Sequence, residues 1–209
     1  MVQIINYQRA QEYRESLTDG ISYVISEGVA RQPEKQQKLD WISDASDLLE
    51  LPIYYVDAAR VELSRTERKR IAEQKSVVRY DANNGIGYVI IGLKDDPKHF
   101  LYIKVDKIGE RQMKALPIFV LDYLIFYPGQ EREYLEKIKK HFYYPIEIAD
   151  IRDINLDSEQ IGRLRQDQSV LMYKDSASIR GTTISIVSPM PNHPAQVLVL
   201  GPVPMFNWM

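Results

Sequence analysis

The chain has 209 residues, 27 Lys+Arg against 29 Asp+Glu, a formal net charge of −2 and no cysteine. Balanced charge and a pI near 6.0 exclude the clustered basic excess of a nucleic-acid binder, and the missing thiols exclude disulfides, zinc ribbons, iron–sulfur clusters and thiol catalysis. At this length about 70 % of the unfolded chain's surface can be buried, enough for one domain or two small ones without bridges, so the compartment stays open.

No secretory signal opens the chain, because Met1-Val2-Gln3-Ile4-Ile5 runs straight into Asn6, Gln8, Arg9 and Gln11. That suits a cytosolic protein or a piece cut from something longer. The first thirty residues predict a long helix. Tyr7, Ala10, Arg14, Leu17, Ile21, Val24 and Gly28 recur three and four apart, a seam that either packs on the domain or pairs with its copy in a second chain. Gln32-Pro33-Glu34-Lys35 breaks it, and a second helix from about Gln37 sets Leu39, Ile42, Ala45, Leu48 and Leu49 on one face before Pro52 ends it. Ile53-Tyr54-Tyr55-Val56 predicts a strand, and Ser64 with Glu67 predicts the cap of a short polar helix through Glu73. Strands follow at Ser76–Tyr80, Tyr88–Gly92 and His99–Val105, the first two joined across the hairpin dipeptide Asn84-Gly85. The longest apolar run, Ala115 to Tyr127, is too short to cross a bilayer that needs about 20 residues and predicts a buried helix. The end, Pro202-Val203-Pro204-Met205-Phe206-Asn207-Trp208-Met209, turns apolar and aromatic, as a segment packed on the core or as a truncated membrane entry.

The same order recurs at an offset of 93. Leu51-Pro52-Ile53-Tyr54-Tyr55-Val56-Asp57 aligns with Tyr144-Pro145-Ile146-Glu147-Ile148-Ala149-Asp150. Ser64 falls on Asp157, Arg70 on Arg163, and Ser76, Val77 and Tyr80 on Ser169, Val170 and Tyr173. Upstream, Trp41, Ile42, Ala45 and Leu49 match Tyr134, Leu135, Ile138 and Phe142. Downstream, with about three extra residues, Leu101-Tyr102-Ile103-Lys104 corresponds to Val197-Leu198-Val199-Leu200. A period this long predicts two copies of one α+β module, helix, strand, helix and three strands, with PAS-like antiparallel sheets covered on one face by helices. The expected domains are a stalk helix at 1–30, a first module at 31–108 and a second at 109–209.

Catalytic signals are sparse. His99 and His193 fall at nearly equivalent loop positions, His141 sits beside Phe142-Tyr143-Tyr144, and no H-x-x-x-H or H-x-H spacing marks a metal. Asn83-Asn84-Gly85-Ile86-Gly87 precedes a strand where a phosphate cradle needs a helix. Arg65, Arg68, Lys69 and Arg70, interleaved with Glu62, Glu67 and Glu73, predict a solvated helix face. Asp95-Asp96 and Asp150, Asp153 and Asp157 predict acidic turns and helix caps without cation-loop spacing. Hydrolase, kinase and Walker motifs are absent, so no catalytic residue and no cofactor of this fragment is expected. The 14 Tyr against 5 Phe suit half-buried surfaces, with a sugar platform as the sharper alternative.

Glu133 to Trp208, and above all Pro194-Ala195-Gln196-Val197-Leu198-Val199-Leu200-Gly201-Pro202-Val203-Pro204, resembles the end of the periplasmic sensor domain of RstB-type histidine kinases. In that family a Gly-Pro-Val-Pro-like segment leads into the second transmembrane helix, and shorter members carry one module where this chain has two. The resemblance implies a periplasmic input domain of an inner-membrane homodimer that signals to a cytoplasmic kinase, which uses ATP and phosphorylates a DNA-binding response regulator. Tyr7, Ala10, Leu17, Ile21 and Val24 would then be a stalk seam, and Gly201, Pro202, Pro204, Phe206 and Trp208 the membrane-proximal exit. The alternatives are a soluble tandem binding module for peptide or glycan and a small α+β hydrolase.

Overall fold

The computed structural model describes residues 18–81, 86–105, 110–142, 144–176 and 181–204. Of the residues singled out above, Tyr7, Ala10, Leu17, the Asn84-Gly85 dipeptide, Phe206 and Trp208 lie outside the described residues. The chain is α+β and divides into two compact units, Met1–Ile108 and Gly109–Met209, each with one four-stranded antiparallel sheet.

In the first unit, α1 (residues 18–30) and α2 (Lys35–Leu49) precede β1 (Ile53–Asp57), a single 3-10 turn, α3 (Arg65–Ala72), β2 (Val77–Asp81), β3 (Ile86–Gly92) and β4 (His99–Val105). The strand order is β1-β4-β3-β2. α3 begins where the sequence predicts, because Ser64 Oγ accepts the Glu67 N–H at 3.2 Å while the Glu67 carboxylate accepts the Ser64 N–H at 2.7 Å. Ile42, Ala45 and Leu49 form the buried stripe of α2, whereas Leu48, expected beside them, is 36 % exposed because it falls off that stripe.

Apolar residues are buried on both faces of the sheet, so a second face, covered in part, adds to the one covered face expected. Val77, Ile90 and Phe100 pack with Ile71 of α3, and Val89, Ile91, Leu101 and Ile103, which point the other way in the pleat, are buried as well. The short polar helix therefore forms a cover over the sheet, which its composition does not suggest.

α1 carries a buried stripe of Ile21, Val24, Ile25 and Val29, so the described part of the seam packs within the chain. Within its described part Asp19 is fastened: its carboxylate accepts two bonds from Arg70 Nη2 (3.0 and 3.2 Å), one from the Ser76 N–H (2.9 Å) and one from Ser76 Oγ (2.8 Å). Arg70 thus turns inward and also donates from Nε to the Ser76 carbonyl at 2.8 Å, unlike the exposed Arg65, Arg68 and Lys69. The solvated-face reading fails at Arg70 because its partner is 51 positions earlier. Further along, a Cβ on Gly28 would fall 2.3 Å from the Trp41 ring, so the bare glycine lets α1 and α2 approach.

The second unit repeats this order: α4 (Glu110–Ile125), α5 (Glu131–Lys139), β5 (Ile146–Asp150), a 3-10 turn, α6 (Ser158–Leu164), β6 (Val170–Ser176), β7 (Gly181–Pro189) and β8 (Gln196–Pro204). The strand order β5-β8-β7-β6 is the same as in the first unit. Asp57 and Asp150 each accept the N–H two residues on at 2.9 Å, opening the two 3-10 turns, and Gln74 and Asp167 both take left-handed backbone with φ of 58° and 56°. Both correspondences keep the offset of 93.

The offset then changes. Val77 pairs with Ile90 but Val170 pairs with Val187, so the second hairpin is four residues longer, not three. From there the offset is 97: Ala58 N–H bonds the Lys98 carbonyl as Ile151 N–H bonds that of Ala195, and Lys104 N–H bonds Pro52 as Gly201 N–H bonds Pro145. Leu101 therefore corresponds to Leu198 and not to Val197. His99 corresponds to Gln196, and His193 to Asp96, so the two histidines occupy different places in the repeat.

Candidate functional site

β1, β4, β3 and β2 bring Tyr54, Tyr102, Tyr88 and Arg79 to the face that α3 covers in part. The Tyr88 and Tyr102 rings lie 5.2 Å apart. Arg79 grips Glu67 with both ends of its fork, Nε to Oε1 at 2.8 Å and Nη2 to Oε2 at 3.0 Å, and also donates to the Glu62 carbonyl. The Arg79 hydrogen bonds chiefly hold the Glu67 carboxyl down to about 2, against burial and with help from the Ser64 cap. Burial, followed by the neighbouring Tyr88, pushes the Tyr102 hydroxyl up, so it remains a donor at neutral pH. Beside Arg79 and Tyr102 lies a groove of about 380 Å³ with Val56 and Val61 as apolar lining and Arg60, Glu62, Arg79 and Tyr102 as polar lining. Aromatic and mixed-charge walls suit a neutral polar ligand. Arg79 commits its Nε and Nη2 to Glu67 and the Glu62 carbonyl.

Tyr55 points to the opposite face. It sits diagonally to His99, since Tyr55 pairs with Leu101 and Asp57 with His99. The Tyr55 ring stacks on the His99 imidazole with centroids 4.3 Å apart and planes 15° off parallel, and its hydroxyl donates to Asp96. His99 Nδ1 lies 2.9 and 3.0 Å from the two Asp96 carboxylate oxygens. Burial, then the Asp96 hydrogen bond and charge, push the Tyr55 hydroxyl up to about 12. Burial works to raise the Asp96 carboxyl, but hydrogen bonds from Tyr55 and His99 and the His99 and Lys38 charges override it and leave it below the ordinary range. His99 is thus part of a structural triad, and Asp96 is its centre more than a residue of an acidic turn. Asp96 holds both the Tyr55 hydroxyl and His99 Nδ1, which makes the cluster a clamp between the β3–β4 turn and β1.

The second unit holds different chemistry at the same place. Ile148 stands for Tyr55, His193 for Asp96, Gln196 for His99 and Glu131, at the start of α5, for Lys38. Together with Met190 these residues line a groove of about 390 Å³. Glu131 Oε1 accepts the Gly129 N–H at 2.9 Å and lies 3.9 Å from His193 Nε2. The Gly129 N–H foremost, with a lesser contribution from His193, holds the Glu131 carboxyl below its ordinary value.

Other tyrosines also meet ring to ring. Tyr127 and Tyr134 lie face to face at 3.5 Å, Tyr123 meets both edge-on, and Lys137 Nζ sits 3.8 Å over the Tyr134 ring.

Of the residues predicted from sequence, Ile21 and Val24 are buried in α1, while Gly201, Pro202 and Pro204 belong to β8. Gly201 is a special position. Its φ is 117°, and a Cβ there would fall 2.7 Å from the Ile184 carbonyl, where the β7–β8 register shifts by one. Asp157 caps α6 by accepting the Gln160 N–H at 2.8 Å, and Asp150 is held to about 2 chiefly by hydrogen bonds from Arg152. Among the described residues, no cluster of three or more His, Asp or Glu is placed to hold a metal ion, and no helix is long and apolar enough to cross a membrane. No family model matches the chain, and no curated protein matches it significantly.

Proposed function

We propose that the chain is the extracytoplasmic, periplasmic input domain of a membrane-bound sensor histidine kinase. It would work as a homodimer held by flanking membrane helices, and ATP and the response regulator would belong to the cytoplasmic part of the parent. The observation that carries this reading is the Pro194–Pro204 segment, which resembles the outgoing segment of RstB-type sensors and lies on β8, an inner strand bonded to β5 and β7. A shift of either neighbour loads the strand that leads outward. At the other end, α1 is tied to β2 and α3 through Asp19, so the incoming helix is coupled to the first sheet. A two-state transmitter needs a fastened segment at each end, which α1 in the first unit and β8 in the second would supply.

The test is deletion of residues 31–200 from the complete receptor, reading phosphorylation of the cognate regulator in cells. A changed basal level, insensitive to envelope stress, is expected; an unchanged level and unchanged response contradict the assignment. The Tyr102–Arg79 groove favours a second reading, a soluble tandem module for peptide or glycan. Polar flanks on both sides of residues 1 and 209 in the complete reading frame decide for it, and about 20 apolar residues on each side decide against it.

A further inference from the structure

We propose that the groove of the second unit binds a small phenol, because the internal repeat fills the equivalent corner of the first unit with its own tyrosine ring. The inference rests on the repeat and is independent of the receptor reading.

In the first unit, the corner between β1, the turn before β4 and the start of α2 is closed by the Tyr55 ring, stacked on His99 and bonded to Asp96. In the second unit the side chain at that position is Ile148, which lacks the ring, and a groove of about 390 Å³ lies there. That volume is at the small end of those that hold organic ligands. The floor is apolar, with Met190 buried and Ile148 half-buried. Gln196 replaces His99 and offers a flat amide against which a ring can lie.

The polar end is retained with its two carriers exchanged. Asp96 on the turn faces Lys38 on the helix in the first unit, whereas His193 on the turn faces Glu131 on the helix in the second. The corner therefore still presents a carboxylate to accept a phenol O–H, and the imidazole beside it is a second hydrogen-bonding group for the same oxygen. Glu131 is pre-oriented for this by the Gly129 N–H. An aryl group without a hydroxyl would strand the carboxylate it covers, so the site discriminates between phenol and hydrocarbon.

The experiment is an NMR titration of the whole chain with p-cresol, the side-chain analogue of tyrosine, in parallel with toluene and N-acetyltyrosinamide. Saturable shifts confined to Ile148, Met190, His193 and Gln196, with a Kd of about 1 mM and toluene at least tenfold weaker, are expected. Ile148→Tyr supplies the missing plug and should weaken p-cresol at least tenfold at an unchanged melting temperature. Should that variant fail to fold, Glu131→Ala, which removes the acceptor and is expected to narrow the p-cresol-to-toluene ratio to about one, takes its place. Equal affinity for toluene, shifts centred elsewhere, or full binding by folded Ile148→Tyr would overturn the proposal. Tighter binding of N-acetyltyrosinamide than of p-cresol would overturn the assignment to a small molecule in favour of a peptide tyrosine.

Discussion

Replacing Asp19 with alanine removes the acceptor that joins α1 to β2 and α3. The wild-type carboxylate takes two bonds from Arg70 and two from Ser76, and the side chains of Asp19 and Arg70 are only 16 % and 26 % exposed. Hydrogen bonds to a charged group contribute about 1.5–3 kcal/mol each when isolated. They are not additive here, because Arg70 keeps its bond to the Ser76 carbonyl and water reaches part of the site. The dominant cost is the counter-charge lost beside the Arg70 guanidinium together with the acceptor lost by the Ser76 N–H, for which we expect a loss of about 3 kcal/mol. Urea unfolding measures it, with the slope unchanged and the midpoint lowered. Hydrogen exchange adds the location: α1 amides should lose protection before those of β3 and β4. Asp19→Asn, which keeps one acceptor oxygen, should recover about half. A loss below about 1 kcal/mol, or uniform loss of protection over the first unit, would refute the view that Asp19 is the fastening of α1.

Gly201→Ala places a Cβ against the Ile184 carbonyl at a φ that side chains rarely adopt, and should cost about 3 kcal/mol, read as a lowered melting temperature with the first unit's exchange protection intact. A neutral effect would mean the β7–β8 irregularity can relax. Glu67 has a folded pKa of about 2, below its unfolded 4.5, so its contribution is full above pH 4.5 and is lost as pH falls toward 2. With Arg79 partly exposed, that contribution is about 2 kcal/mol. Glu67→Gln should remove it at pH 7 and flatten the stability profile between pH 4.5 and 2; a profile parallel to the parent's would contradict the Arg79 bridge. Tyr55, held up to about 12, should ionise late in an alkaline absorbance titration, and Tyr55→Phe should remove one phenol from that late phase.

The repeat was legible because its markers are local: Pro52 and Pro145 before strands, Ser64 and Asp157 as caps, and apolar helix positions in register. The one-residue error downstream has a physical source. Val197-Leu198-Val199-Leu200 is apolar on both faces, so period-two alternation cannot fix its register, and slipping by one residue exchanges the faces without changing the pattern. The left-handed Gln74 and Asp167 carry no glycine signal. The Tyr55–Asp96–His99 clamp joins residues 41 apart through the β1–β4 pairing, a neighbour relation that skips two strands in sequence. Arg70 looked solvated for the same reason, its partner being on α1. The grooves were not legible at all, since each is defined by what a side chain does not fill.

The receptor assignment is tested most directly by which side of the membrane the chain faces. The absence of cysteine in these residues makes single-thiol labelling clean, and Tyr80, 63 % exposed on the edge strand β2, is a suitable site. With Tyr80→Cys in the complete protein, a membrane-impermeant maleimide should label intact spheroplasts as fully as lysed ones. Labelling only after lysis would place the domain in the cytoplasm and contradict the account.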